Sequence, residues 1–126
     1  HAAGYNYGFK MNALAARPAA ERDFVLGNAQ RLHAVGYSGS YMTELAARPA
    51  AERDFVLGNA QRLHAVGYSG EDMTELAARP AAERDFVLAN GQQLHAAGYN
   101  YGFKMNALAA RPDQRNAFLR QIGQRD

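Results

Sequence analysis

One stretch constrains this chain more than any other: Pro49 to Arg79, PAAERDFVLGNAQRLHAVGYSGEDMTELAAR, recurs along the whole sequence. Pro18 to Arg48 repeats it at all but two positions, with Ser40 and Tyr41 where Glu71 and Asp72 stand. Pro80 to Arg111 is a looser copy, one residue longer. His1 to Arg17 reproduces His95 to Arg111 letter for letter, and Pro112 to Asp126 opens a further copy before it diverges. A unit this short cannot bury its own apolar face, so copies at a period of 31 or 32 residues must bury their flanks on one another. The expected architecture is an all-α solenoid of helix-turn-helix hairpins, about eight helices in all. It divides into a half repeat (1–17), full repeats (18–48, 49–79 and 80–111) and a capping half repeat (112–126) of one repeat domain. A start in mid-repeat reads as a fragment or an assembled array.

Each unit reads as a long helix, a capped turn and a short helix. Pro18 suits a first helical position, where its missing N–H would be unpaired anyway. Phe24, Val25 and Leu26 point in directions about 100° apart, which predicts a long helix covered on both flanks. Gly36 supplies the left-handed stop, Tyr37 folds back on Leu32, and Ser38 caps the short helix. Tyr37 and Met42 are placed as a hydrophobic staple across that cap. Met42, Leu45 and Ala46 form the buried face of the short helix. Glu44 stands four residues before Arg48, the order that favours a weak surface pair. Arg48 precedes Pro49, which ends the helix. In the tail, Arg120 and Asp126 fall where Leu88 and Leu94 fall in the third unit, polar changes that suit a solvent-facing cap.

Chemistry that needs unlike groups converging on one point finds little support. The chain has no cysteine, which excludes a disulfide framework and a thiolate zinc site. No apolar run approaches the roughly 20 residues that cross a bilayer. His1, His33, His64 and His95 recur at one position per unit, too far apart to share a metal ion, and read as helix-end residues beside the last carbonyls. The serines cap helices and the glycines sit at helix stops or inside helices, so neither nucleophile nor phosphate loop emerges. The sequence thus points to a non-catalytic protein without cofactor or metal.

Two sets of residues offer a recognition surface instead. Arg17, Arg48, Arg79 and Arg111 each occupy the junction between a short helix and the next long one. They either end a helix, with their charge at its negative pole, or project at a regular pitch toward an anionic partner. The units differ at Ser40 and Tyr41 against Glu71 and Asp72, and at Tyr99 to Lys104, where Tyr101, Phe103 and Lys104 replace small or acidic residues. Differences along a constant surface are where a protein partner is discriminated. Net charge is only +2, and the second unit is acidic because Glu71 and Asp72 join Glu52, Asp54 and Glu75.

Gly67-Tyr-Ser-Gly-Glu-Asp-Met-Thr-Glu-Leu-Ala resembles the opening of a TAL-effector-like DNA-binding repeat, in which a short capped helix precedes the base-reading loop. The resemblance implies that Arg79-Pro80, with its copies Arg48-Pro49 and Arg111-Pro112, is the loop facing DNA. Ala81 and Ala82 stand where that family carries glycines. The same turn, short helix and proline are similar to the mitochondrial transcription termination factor repeat. Both families imply a helical-repeat superhelix that binds nucleic acid, and with double-stranded DNA as the expected ligand the row Arg17, Arg48, Arg79 and Arg111 supplies the positioning or reading residues. The alternatives are a protein- or peptide-binding array using the variable turns, and an engineered or self-assembling array whose units associate end to end.

Overall fold

A computed structural model describes residues 16–123. The first unit contributes α1 (Ala19–Ala34) and α2 (Gly39–Ala46), the second α3 (Ala50–Ala65) and α4 (Gly70–Ala77), and the third α5 (Ala81–Ala96) and α6 (Gly102–Ala109). The closing half-unit forms α7 (Pro112–Gly123). The chain is all-α: seven helices and no strand stand among the described residues. Most of the opening half repeat, residues 1–15, and the capping position Asp126 lie outside them.

Each long helix packs on the short helix that follows it, α1 on α2, α3 on α4 and α5 on α6. Contacts between successive units are mainly like on like: α2 meets α4, α4 meets α6, and α3 meets α5. One cluster of buried side chains runs through all of them, from Val25 and Leu32 through Met42, Leu45, Val56, Leu63, Met73 and Leu76 to Met105 and Phe118. Removing a side chain such as Leu45 or Leu76 at these fully buried sites costs about 2–5 kcal/mol.

The turn chemistry explains how the hairpins close. Gly36, Gly67 and Gly98 have φ of 96°, 105° and 104°, a conformation open to glycine. Past Gly36, the Tyr37 N–H donates to the Leu32 carbonyl and the Gly36 N–H to the His33 carbonyl, the paired bonds that satisfy the last carbonyls of α1. Ser38 Oγ accepts from the Tyr41 N–H at 3.4 Å and Ser69 Oγ from the Asp72 N–H at 3.2 Å, capping α2 and α4.

Some expectations are corrected. Pro18, Pro49 and Pro80 precede their helices, with ψ near 150°, and their carbonyls accept the N–H groups of the first turn. Only Pro112 is itself a first helical residue. Leu26 is 53% exposed, while Phe24 packs with Val25 on the core; in α3 the equivalents Phe55, Val56 and Leu57 all pack there, as expected for a helix covered on both flanks. Arg48 pairs forward with Glu52 and not back with Glu44.

The seams between units rest on a tyrosine and a glycine. Tyr37 and Tyr68 are buried to 1% exposure, and a Cβ added to Gly70 or Gly102 of the next unit would come within 2.7 or 2.6 Å of their rings. Glycine at the start of the short helix is therefore the recess that admits the preceding unit's ring. Tyr37 Oη lies 2.7 Å from Thr74 Oγ1, and Tyr68 Oη donates to Asn106 Oδ1 at 2.6 Å. Burial pushes the Tyr37 phenol up to about 12 against the pull of its Thr74 hydrogen bond, and pushes Tyr68 up further.

Candidate functional site

The junction arginines sit in separate turns at the N-terminal ends of successive long helices. Arg17 donates to Glu21 at 2.7 Å, Arg48 to Glu52 at 2.8 Å and Arg79 to Glu83 at 2.8 Å. Arg79 grips its carboxylate with two nitrogens, Nε and Nη2. The glutamate hydrogen bond is the main reason the Arg48 and Arg79 guanidinium groups hold their protons even more firmly than usual. At the fourth junction Arg115 occupies the glutamate position, so Arg111 is the one exposed member of the row with a second cation four residues on. Arg115 Nη1 donates to the Ala109 carbonyl, at the end of α6.

The variable turn residues are brought together across units. Tyr41 Oη donates to Glu71 Oε2 at 2.9 Å, and that acceptor raises the Tyr41 phenol. Asp72 faces Gly102, and its carbonyl accepts from Asn106 Nδ2 at 3.2 Å. Ser40 is exposed at the start of α2. Tyr101 and Phe103 are stacked on each other, 5.7 Å between centroids and 7° between planes, with Lys104 Nζ 5.4 Å from the Tyr101 ring. Both rings are more than half exposed, at 53% and 57%.

A second surface escaped the sequence reading. Between α1 and α3 lies a groove of about 550 Å³, lined by Gln30, Arg31, Val35, Leu57, Gln61 and Arg62 among others. The equivalent groove between α3 and α5, about 500 Å³, is lined by Arg62, Val66, Leu88, Gln92 and Gln93. Arg31 Nη2 crosses the first to the Leu57 carbonyl at 3.4 Å, and Arg62 Nη2 crosses the second to the Leu88 carbonyl at 2.9 Å. Asn28, Asn59 and Asn90, unfavourable in mid-helix on propensity alone, each donate back to the phenylalanine carbonyl one turn earlier, at 2.8–2.9 Å. Arg53 and Arg84 lie over Phe24 and Phe55 of the preceding unit, 5.4 and 5.6 Å from the ring centres.

Acids on the long helices stand only near their N-termini, as Glu21, Asp23, Glu52, Asp54, Glu83 and Asp85. From Phe24 to Ser38 and from Phe55 to Ser69 there is no Asp or Glu, whereas Glu44, Glu71, Asp72 and Glu75 lie on the short helices. A smaller cleft of about 240 Å³ on that side is lined by Glu44, Glu71 and Glu75 with Arg48 and Tyr41. The signal was present in the sequence as an acid-free stretch in every unit, but a net charge summed over the unit hides it.

His33, His64 and His95 lie in the last turns of their helices, and His95 Nδ1 is 3.2 Å from the Val66 carbonyl of the previous unit, a contact made by the Nδ1–H tautomer. Among the described residues no three His, Asp or Glu side chains gather at metal-binding spacing, and no helix is long and apolar enough to cross a membrane. Compared with known proteins, the chain matches no family model, no curated protein and no solved structure.

Proposed function

We propose that this chain is a non-catalytic α-solenoid that binds nucleic acid along its stacked units. The observation that carries the reading is the recurrence of one acid-free groove, with an arginine across it, between successive long helices. Like groups repeated along a surface suit a polymer that repeats its own charge, and give no convergence of unlike groups for catalysis. The junction row Arg17, Arg48, Arg79 and Arg111 belongs to the same reading, with three of its members held by glutamate.

A labelled DNA duplex titrated at low and raised salt tests this. Binding that weakens steeply with salt is the expected result, since phosphate neutralisation releases counterions. No binding at low salt would sink the nucleic-acid reading. It would leave a protein or peptide partner as the second reading, favoured by the exposed Tyr101–Phe103 stack beside Lys104.

A further inference from the structure

We infer that Arg31 and Arg62 are the residues that hold the phosphodiester backbone, one per groove, and that the third unit lacks the contact because Gln93 stands in their place. The inference rests on the nucleic-acid reading and narrows it to a site and a chemical group. Among the described residues neither side chain forms an ion pair, in contrast to Arg17, Arg48 and Arg79, whose charge is taken up inside their own unit. Arg31 uses Nη1 on Asn28 Oδ1 and Nη2 on the Leu57 carbonyl; Arg62 uses Nη2 on the Leu88 carbonyl. A guanidinium carries five N–H donors, so each has donors left for an incoming oxygen anion while the carbonyl fixes its direction.

The groove supplies the rest of a phosphate site. Gln30 and Gln61 line the first groove and Gln92 and Gln93 the second, adding neutral donors, and no carboxylate lines either. Gly58 has nothing within 4 Å of an added Cβ, so the floor beside Arg62 is open. Arg31 and Arg62 stand at the same position of successive units, so a polymer that repeats its phosphates can meet both. Such contacts fix the position of a backbone and carry no base preference.

The test is fluorescence anisotropy of a labelled mixed-sequence duplex with the wild type, the double variant Arg31→Gln, Arg62→Gln, and Gln93→Arg. Glutamine is already the residue at the third position, so these changes keep the groove's own chemistry, and circular dichroism with urea unfolding verifies the fold. Each lost contact lowers the log–log salt slope by about 0.9, so the wild type loses about tenfold more affinity than the double variant between roughly 50 and 200 mM salt. Gln93→Arg steepens the slope by about 0.9, and both effects hold across duplex sequences. Duplex binding with an unchanged slope in the double variant overturns the site and leaves the nucleic-acid reading standing. Absence of duplex binding by the wild type removes that reading and the site with it. Competition by polyglutamate as strong as by unlabelled duplex also overturns it, assigning the grooves to an acidic polypeptide.

Discussion

The seam between the first and second units and the seam between the second and third are built from the same parts but held differently. At the first, Tyr37 meets the Thr74 hydroxyl, and Tyr41 reaches Glu71 on the exposed rim. At the second, Tyr68 meets Asn106, which also donates to the Asp72 carbonyl, and the Gly102 N–H donates to the Gly67 carbonyl at 3.1 Å. The extra residue in the turn from Tyr99 to Gly102 carries Asn100 against Gly67, where an added Cβ would lie 2.2 Å from the Asn100 carbonyl oxygen. At Gly36 the same atom would find its nearest neighbour at 3.6 Å. One inserted residue thus exchanges a rim contact between side chains for a seam of backbone and amide bonds.

The largest difference should come from the two glycines. Gly36→Ala bears the strain of a positive φ, about 1–2 kcal/mol, whereas Gly67→Ala adds a backbone collision and should lose about 3 kcal/mol or more. Urea unfolding of both variants checks this, and equal losses would mean that the second seam yields easily. Next comes the amide: Asn106→Leu leaves the Tyr68 hydroxyl buried without its acceptor and should cost about 1–3 kcal/mol. Thr74→Val, at a half-buried site nearer solvent, should cost less, and thermal melts that reverse this order would break the comparison.

The remaining comparison is a pH dependence, read as a difference in slope between the wild type and one variant. Tyr37 has its folded value raised from 10.0 to about 12, so the folded state keeps a proton that the unfolded chain gives up. Its stabilisation is complete below the unfolded value and is lost as pH rises from about 10 through about 12. Stability should therefore fall over that window, less steeply in Tyr37→Phe. An identical slope in the variant would place the titrating group elsewhere.

The turn from Val35 to Ser38 was legible because its bonds are local: a positive-φ glycine, a returning tyrosine N–H and a serine cap are all read within a few residues. The hydrogen bond of Tyr37 to Thr74 spans 37 residues, and nothing local marks Gly70 as its recess. The pairing of Arg48 is likewise not readable from one helix alone. The rule of four residues along a helix offers Glu44, but Arg48 has left that helix, and Glu52 in the first turn of α3 reaches back to it. Of the candidate site, the spacing of the junction arginines was evident; their glutamates and the grooves of Arg31 and Arg62 required the helices to be set side by side.

The ring of each tyrosine belongs to one copy and the notch that receives it to the next, so a seam is never encoded within a single copy. Duplicating the second copy then leaves each new boundary furnished with both halves, Tyr68 on one side and Gly70 on the other. A gene that encodes one such boundary therefore lengthens by whole copies without inventing a new one.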